Sequence, residues 1–210
     1  MICPICLGSN ILPFKTIDKK NYFKCNFCSG LFIDSKHHLS SEEEKERYSL
    51  HNNTLYDPDY RIFLSKLYNP LVAELKKGSK GLDFGCGPGP ALAEMFKEAG
   101  FCMDLYDPIF FPQKPSTYKK YDFITCTEVV EHFYDPFNEF IKIDGMLAKK
   151  GIFAVMTNFY DESINFENWY YRKDPTHVVF YNKNTFQHIS FQRNWKVYFP
   201  SENIALFYKK

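Results

Sequence analysis

The sequence predicts a doubly wound α/β fold of mostly parallel strands, preceded by a small metal-held ribbon. Three observations predict this architecture. Short apolar strands alternate with helical patterns between residues 81 and 157. The first of these strands runs through a glycine-rich turn directly into a helix that begins near Ala91. Two Cys-x-x-Cys pairs stand close to the N-terminus, before any of these elements.

The length of 210 residues fits one α/β domain with a small appendage. We divide the chain into three parts. Residues 1–36 are predicted to form the ribbon, residues 37–80 a helical connector and cap, and residues 81–210 the α/β domain. The boundaries follow the end of the cysteine-containing segment and the start of the first buried strand.

Composition excludes several classes of function. The formal net charge is +1 and no long block of like charge occurs, so there is no electrostatic footprint for nucleic acid or a membrane surface. No run of about 18 apolar residues occurs, so no membrane span is expected. Cysteines occupy the place of a signal peptide's basic and apolar regions, which favours a soluble, cytoplasmic protein. The odd count of seven cysteines argues against a secreted disulfide framework.

Residues 1–36 have the cysteine spacing of a zinc ribbon. The two pairs are separated by 18 residues, and short strands are expected around residues 11–14, 22–24 and 31–33. Four thiolates in a tetrahedral array suit a closed structural zinc site, and the metal would supply folding free energy that so small a core lacks. A redox Cys-x-x-Cys or an iron site is the alternative. The predicted ligands are Cys3, Cys6, Cys25 and Cys28.

The connector is predicted to contain two helices. Ser40 with Glu43 three residues later is typical of a capping box, and a second helix starts at Asp57 and runs to about Lys77. Its buried face is expected to contain Ile62, Phe63, Leu67, Leu71, Val72 and Leu75. The segment His51-Asn52-Asn53 between the helices either lines the cofactor site or is a solvated loop.

The turn after the first strand has the pattern Asp83-x-Gly85-x-Gly87-x-Gly89. Glycines permit positive φ and bring backbone N–H groups close to a ligand, and the following helix adds unpaired donors at its positive end. These features are typical of a nucleotide cradle. A dinucleotide fingerprint would need a third glycine at Pro90, and a P-loop would need Gly-Lys-Ser/Thr, so neither fits.

This pattern resembles motif I of the class I S-adenosylmethionine-dependent methyltransferases, which have a Rossmann-like sheet. The resemblance implies S-adenosylmethionine as the cofactor. It also implies that Asp107, at the carboxyl end of the second strand, accepts the ribose hydroxyls of the cofactor. A turn-forming aspartate before Pro108 is the alternative. The cofactor residues implied at the turn are Asp83, Gly85, Cys86, Gly87 and Gly89.

Residues 127–132 read Thr-Glu-Val-Val-Glu-His and resemble the family's segment after its fourth strand. The resemblance implies that Thr127 and Glu128 border the methionine part of the cofactor and the methyl acceptor. If a helix starts here, Glu128 and His132 share one face. His132 is either a group that transfers a proton near neutral pH or a structural histidine that bonds the cofactor loop.

One region departs from the family's pattern. Only 14 residues separate Asp107 from Asp122, which is too short for a crossover helix plus a third strand. We therefore expect this strand or its helix to be missing or reduced. No adenine-side acidic residue is assigned.

The segment 158–181 contains eight aromatic residues and forms either a wall over a flat acceptor or ordinary core. Within it, the Asp-Pro-Thr-His-Val-x-Phe sequence resembles a bacterial group of class I methyltransferases with an N-terminal zinc ribbon. His177 is the best candidate for a base or an acceptor-orienting group, and Arg172 and Lys173 are candidates to hold an anionic part of the acceptor. Residues 195–199 and 204–208 are expected to form a closing antiparallel pair.

Together these features predict methyl transfer from S-adenosylmethionine to a small-molecule oxygen, nitrogen or carbon nucleophile, which the enzyme has to align and, where neutral, deprotonate. An RNA methyltransferase that grips RNA with the ribbon is one alternative, and the near-neutral charge opposes it. A non-catalytic protein that binds the cofactor or a partner is the other. The sequence leaves the acceptor and the oligomeric state open.

Overall fold

The structure is a computed structural model that describes residues 1–49, 54–113, 115 and 118–210. The first half contains β1 (Ile11–Ile17), β2 (Lys20–Cys25), β3 (Leu31–Ile33), α1 (Ser41–Ser49), α2 (Pro58–Val72), β4 (Lys80–Phe84), α3 (Ala91–Glu98) and β5 (Cys102–Tyr106). The second half contains β6 (Tyr121–Thr127), α4 (Pro136–Met146), β7 (Leu147–Met156), α5 (Tyr170–Lys173), β8 (Val179–Phe180), α6 (Lys183–Gln192), β9 (Trp195–Ser201) and β10 (Ile204–Lys209).

The central sheet has six strands in the order β5-β4-β6-β7-β10-β9. The pairings β4–β5, β4–β6 and β6–β7 are parallel, and β10 pairs antiparallel with both β7 and β9. The carboxyl ends of β4, β5, β6 and β7 therefore meet at one edge, where ligands of open α/β sheets bind. This mostly parallel sheet and its closing antiparallel pair agree with the sequence-based expectation.

Helices lie on both faces of the sheet, as a doubly wound fold requires. On one face, α2 and α3 bury Leu64, Leu67 and Phe96 against the strand residues Phe123 and Met156. The opposite face holds a second core cluster to which α4 and α6 contribute Phe140, Ile143, Met146, Phe186 and Ile189.

The N-terminal strands form a separate sheet whose fourth member comes from the far end of the chain. Its order is β1-β2-β3-β8, and β8 pairs antiparallel with β3 through Leu31 with Phe180 and Phe32 with Val179. The chain after β7 thus returns to the ribbon before it reaches α6. The ribbon is consequently joined by backbone hydrogen bonds to the segment that follows β7.

The connector helices begin where the sequence predicts them. Ser40 and Glu43 exchange hydrogen bonds with each other's backbone N–H groups, and the Asp57 carboxylate accepts from the N–H groups of Asp59 and Tyr60. The second helix is shorter than expected and ends at Val72. Its last turn tightens, since the Glu74 N–H donates to the Leu71 carbonyl three residues back.

Two other details of the connector differ from, or lie outside, the expectation. Ile62 was assigned to the buried face of the second helix, but it is 66% exposed. Leu64, one position off the predicted stripe, is buried in its place. The expectation for His51, Asn52 and Asn53 falls outside the described residues.

The region between β5 and β6 contains no further strand among its described residues. β5 lies at the edge of the sheet. An isolated bridge joins Asp107 to Phe111, with the two residues exchanging backbone hydrogen bonds at 3.1 and 3.0 Å. The strand that the short spacing predicted to be missing or reduced is therefore absent from the described residues between β5 and β6.

Candidate active site

The glycine turn after β4 is tied to the end of β5, because the N–H groups of Gly85 and Cys86 both donate to the Tyr106 carbonyl, at 2.7 and 3.2 Å. Gly85 and Gly87 have φ values of 79° and 63°, which favour glycine. Gly85 is packed tightly, because an added Cβ would lie 2.5 Å from a methyl group of Val129, whereas nothing lies within 4 Å of an added Cβ at Gly87. Gly89 is not among the positive-φ glycines, contrary to expectation, and its carbonyl accepts from Ala91 at the start of α3.

The helix behind the turn has two of its first N–H groups bonded within the protein. Pro90 is its N-terminal cap residue and makes no side-chain capping hydrogen bond. The Ala91 N–H donates to the Gly89 carbonyl. The Ala93 N–H donates to the carboxylate of Asp83, which also accepts from the Thr125 hydroxyl at 2.8 Å. Asp83 is 4% exposed, and burial raises its pKa to about 6. Asp83 therefore lies beneath the turn and fastens α3 to β6.

Asp107 also supports the turn. One of its oxygens accepts from the Gly87 N–H at 3.0 Å, and the other accepts from the N–H groups of Ile109 and Phe110 at 2.9 and 3.0 Å. These are the bonds of a turn-forming aspartate, the alternative weighed from the sequence. Carboxylate oxygens have two lone pairs each, so acceptor capacity for a ribose hydroxyl remains.

Cys86 lies inside the turn with its thiol 3.7 Å from the Gly87 carbonyl. The side chain is buried, and desolvation, with Asp83 and Asp107 nearby, raises its pKa far above that of a free thiol. A thiol in such surroundings stays protonated and unreactive. Cys86 can thus contribute shape and backbone to the turn but not a nucleophile.

The loop after β6 holds polar atoms that lack protein partners. Among the described residues, the Thr127 hydroxyl and Oε1 of both Glu128 and Glu131 are buried without a hydrogen bond. Burial raises the pKa of Glu128 to about 8, and the nearby Glu131 carboxylate adds to the shift. The loop adjoins the glycine turn, because Val129 packs against Gly85. Buried side-chain oxygens without a partner, next to the glycine turn, are groups that a polar ligand would satisfy.

No α-helix starts at this loop, so the helical face expected for Glu128 and His132 does not form. Glu128 has a φ of 52°, in the left-handed region, and only a 3₁₀ turn spans Val130–His132. The Glu128 N–H instead donates to the Met156 carbonyl at 2.8 Å, which continues the β6–β7 ladder by one residue. The two side chains are therefore placed by a strand end and a tight turn.

His132 and His177 lie close together. Their ring centroids are 4.7 Å apart. Nδ1 of His132 bonds the Thr176 carbonyl at 3.1 Å, and Nδ1 of His177 bonds the Tyr171 carbonyl at 2.7 Å. Burial lowers the pKa of His177, which favours its neutral form. The structure thus brings the two predicted histidines to one place, and it gives each a structural bond through Nδ1.

A buried network connects these histidines to the loop after β6. The Glu131 side chain is fully buried, and its Oε2 accepts from the Thr157 hydroxyl at 2.9 Å. Thr157 in turn bonds the Tyr171 hydroxyl at 2.7 Å. The Tyr171 ring lies 4.1 Å from that of His177, and its hydroxyl also interacts with Glu128. One continuous set of contacts therefore leads from Glu128 to His177.

A small cavity of about 170 Å³ opens between the ribbon and the segment that carries His177. Its lining residues are Asp18, Lys20, Tyr22, Ile33, Arg172, Lys173, Asp174, Pro175 and His177. The guanidinium of Arg172 is engaged within the protein, because it donates to the Glu167 carbonyl at 3.0 Å and to the Tyr22 hydroxyl at 3.4 Å. The wall of the cavity is thus built jointly by the ribbon and the chain after β7.

Most of the aromatic segment is core. Phe166, Tyr171, Phe180 and Tyr181 are buried, and Phe166 packs edge-on against Tyr22 of the ribbon at a centroid distance of 5.1 Å. Tyr170 is exposed. The alternative of core filling therefore describes most of the segment better than a wall over the acceptor.

The four ribbon cysteines converge. Their sulfur atoms lie within 4.8 Å of one another, and all four are free thiols. The pairs Cys3–Cys28 and Cys6–Cys25 are 3.7 and 3.5 Å apart. Tetrahedral zinc with Zn–S bonds of about 2.3 Å separates its sulfurs by about 3.8 Å, so the arrangement fits the metal.

The comparison with known proteins decides the class. Residues 56–198 match the family described as Methyltransferase domain. The chain belongs to this methyltransferase family. The ribbon lies outside the matched residues, so the zinc ribbon and the bacterial group inferred from the sequence have no counterpart in the match.

Two solved methyltransferase structures are similar to this chain in fold. A TehB-like SAM-dependent methyltransferase from Corynebacterium glutamicum has 12% identity over 81% of this chain and 100% of its own, with a TM-score of 0.51. The N-methyltransferase NodS from Bradyrhizobium japonicum, in complex with S-adenosyl-L-homocysteine, has 15% identity over 80% of this chain and 97% of its own, with a TM-score of 0.50. No curated protein matches the sequence significantly.

Sequence reasoning missed three residues that organise the site of the methyltransferase. Glu131, Thr157 and Tyr171 form the buried network, but none was assigned a role. Glu131 stood within the motif quoted for Glu128 and His132, and that was the available signal. Thr157 and Tyr171 meet it only through folding. In the described part of the chain, no helix is long and apolar enough to cross a membrane.

Proposed function

We propose that this methyltransferase uses S-adenosylmethionine to methylate a small-molecule acceptor at an oxygen, nitrogen or carbon nucleophile. The observation that carries the proposal is the set of unpartnered buried acceptors on Thr127 and Glu128 beside the glycine turn. A ligand that combines cationic groups with hydroxyls would satisfy both. S-adenosylmethionine supplies a methyl group on a positively charged sulfur. The two solved relatives named above, one described as SAM-dependent and one bound to S-adenosyl-L-homocysteine, support this choice.

The cofactor residues are assigned by position. The turn around Gly85, Gly87 and Gly89 would receive the cofactor on its backbone, and Asp107 would accept from the ribose hydroxyls. Thr127 and Glu128 would bind the methionine part, where the Glu128 carboxylate meets the ammonium group. Such a cation would lower the raised pKa of Glu128, because an opposite charge favours the ionised carboxylate. Asp83 and Cys86 would act from beneath, by fixing the turn.

The acceptor side is assigned to His177 and His132. Each ring is oriented by a bond from Nδ1 to a backbone carbonyl, which leaves Nε2 able to take a proton from the acceptor. His177 also lines the cavity of about 170 Å³ between the ribbon and residues 172–175, a size that suits a small molecule or one end of a larger one. Enclosure there would align the nucleophile with the methyl group.

The ribbon completes the proposal. We assign residues 1–36 to a ribbon with structural zinc on Cys3, Cys6, Cys25 and Cys28, residues 37–80 to the connector, and residues 81–210 to the methyltransferase domain. Four thiolates leave no open coordination position, so the ion would support the fold and take no part in the reaction. The ribbon residues that line the cavity would contribute to the acceptor site.

Calorimetric titration with S-adenosyl-L-homocysteine tests the cofactor assignment. The wild-type protein is expected to bind, and Asp107→Asn and Glu128→Gln are each expected to weaken binding by about 10- to 100-fold, since each loses a hydrogen bond to a charged group. Glu202→Gln, a substitution at an exposed acid in the turn between β9 and β10, serves as the matched control and should bind as wild type does. A folded wild-type protein that takes up no ligand would overturn the proposal.

A further inference from the structure

We propose that Glu131, His132 and His177 form a second metal site, which takes a divalent transition metal such as zinc or iron(II). Each side chain offers one donor atom, and the three atoms lie within 4.8 Å of one another. The set combines two imidazoles and one carboxylate, and it is separate from the cysteine cluster of the ribbon. With the ion on Nε2 of both rings, the histidines would act as its ligands and not as the proton acceptors of the proposed function. Metal binding itself is tested without reference to methyl transfer.

The first argument is the orientation of the two histidines. A backbone carbonyl can only accept a hydrogen bond, so the carbonyls of Thr176 and Tyr171 place the proton of each neutral ring on Nδ1. Nε2 of each ring then has a free lone pair. Histidines that bind metals are usually held in this way, with the nitrogen that does not bind the metal donating to a carbonyl or carboxylate.

The second argument is the unmet charge of Glu131. Its side chain is fully buried, Oε2 accepts from Thr157, and Oε1 has no partner among the described residues. The unpartnered oxygen points toward the cluster, because it lies 3.8 Å from Nε2 of His132. A buried carboxylate without compensation is costly. Two imidazoles and a carboxylate whose ligand atoms lie within 4.8 Å of one another are stabilised by a cation placed between them.

The donor set also selects the cation. Magnesium and calcium prefer oxygen ligands, whereas two imidazoles and a carboxylate suit zinc or non-haem iron(II). The ligand atoms around such an ion lie about 3 Å apart, so small rotations about the side-chain bonds would bring the three side chains closer to one another. Three protein ligands leave at least one coordination position open, which is the pattern of a site that also binds a substrate.

The position of the site points to what would occupy that open coordination position. His177 lines the cavity between the ribbon and residues 172–175, so an ion on His177 would be reachable from it. On the basis of the proposed function, the acceptor would then present an oxygen to the metal, which would lower the pKa of a hydroxyl there. The acceptor class that this site favours is an oxygen nucleophile rather than an amine or a carbon.

Metal content of the full-length protein tests the inference. After incubation with zinc and removal of the excess, the wild type is expected to retain about two ions per chain by elemental analysis, one on the ribbon and one on this cluster. Glu131→Gln preserves the shape and can keep the Thr157 bond but removes the charge, and it should retain one ion. His177→Ala should also retain one. His188→Ala, a substitution at a half-buried histidine on α6, is the control and should retain two.

Cobalt substitution assigns each ion to its site. The ribbon should give thiolate-to-metal charge-transfer absorption, and this absorption should persist in Glu131→Gln and His177→Ala. A wild-type protein with a single ion, held on thiolates, would overturn the inference and leave a protonated histidine as the partner of Glu131. Retention of two ions by Glu131→Gln and His177→Ala would also overturn it. S-adenosyl-L-homocysteine titrations on the same samples report separately on the cofactor site, so failure of one proposal is distinguishable from failure of the other.

Discussion

The two faces of the central sheet are covered in different ways. One face carries α2 and α3, which pack on it with Leu64, Leu67, Leu71 and Phe96 and lie close to β4 and β5 in sequence. On the other face, one continuous cluster of buried residues runs from Cys3 and Ile5 in the ribbon to Phe153 and Phe207 in the sheet. The ribbon is therefore part of this core rather than an appendage. A local helical layer completes one face, and a layer completed by long-range contacts covers the other.

Among the changes that test this difference between the two faces, loss of the proposed ribbon zinc is expected to have the largest effect on stability. Cys25→Ser removes one of four ligands, and structural zinc sites contribute much of the folding free energy of small metal-held segments. The free energy of unfolding should fall by about 5 kcal/mol or more. Denaturant unfolding measured by near-ultraviolet circular dichroism would detect it, because the ribbon adjoins the aromatic cluster. Cys102→Ser, a substitution at an exposed thiol outside the cluster, is the control, and equal stability of the two variants would contradict the assignment.

Two buried phenylalanines test the faces separately. Phe166→Ala on the ribbon side and Phe96→Ala on the helical side should each cost about 3–5 kcal/mol through lost burial and a cavity. Only Phe166→Ala should also speed the loss of ribbon zinc to a chelator, since Phe166 packs on Phe14 and Tyr22. Chemical denaturation and the rate of zinc transfer are the measurements. Phe191→Ala, at an 84% exposed position, should be nearly neutral, and faster zinc loss in Phe96→Ala would break the distinction.

The next prediction concerns the glycine turn, which follows β4 at the carboxyl-end edge of the central sheet, between its two faces. Gly85→Ala places a Cβ against Val129 in a backbone conformation with positive φ, and should cost about 1–3 kcal/mol in addition to weakening S-adenosyl-L-homocysteine binding. Gly78→Ala is the matched control, because Gly78 also has positive φ but nothing near its Cβ position. Thermal unfolding and calorimetric titration compare the two. Equal binding by both variants would remove the turn from the cofactor site.

The smallest effect is expected from pH. Because the folded-state pKa of Glu128 is raised from 4.5 to about 8, the folded protein binds more protons than the unfolded chain between these values, and stability falls as pH rises through this interval. Asp83, whose pKa is raised to about 6, gives a slope of the same sign at lower pH. Burial lowers the pKa values of His38 and His177, which adds a slope of the opposite sign near pH 6, so Glu128 is isolated by the comparison with Glu128→Gln over the interval from pH 6 to 8. The melting temperature of the ligand-free protein should decline across it, and Glu128→Gln should flatten the decline; parallel curves for both proteins would argue against the raised pKa.

On the side of the sheet that carries α2 and α3, local sequence patterns were sufficient to predict the secondary structure. The strand, turn and helix around the glycines and the two capped connector helices depend on contacts between residues near in sequence, and they could be predicted. The predictions that were wrong on this side also concerned single residues and short segments. Ile62 fitted the helical period but is exposed, and the glutamate-histidine motif formed a left-handed residue and a 3₁₀ turn because Glu128 continues the β6–β7 ladder.

The structure on the side that contains the ribbon depends on contacts between residues far apart in sequence, which no local pattern predicts. β8 is two residues long and pairs with β3, which lies far away in sequence. The roles of Arg172 and of the aromatic segment follow from that pairing, because it brings Tyr22 next to both. The convergence of Glu131, Thr157 and Tyr171 requires the same return of the chain. The sequence could indicate the four cysteines and both histidines as candidate site residues, but not that the cysteines pack in one core cluster with the central sheet.

The pairing of β3 with β8 also bears on the order in which the molecule can be completed. The ribbon is synthesised before the central sheet, yet one edge of its own sheet stays unpaired until residues 179–180 have been made. Until then β3 presents open backbone hydrogen-bonding groups, the kind of edge through which chains associate wrongly. Its length of only three residues limits that hazard during the interval. A segment that is synthesised before the central sheet is therefore completed only after most of that sheet has been made, and mutations that slow folding of the central domain would prolong the exposure of the ribbon.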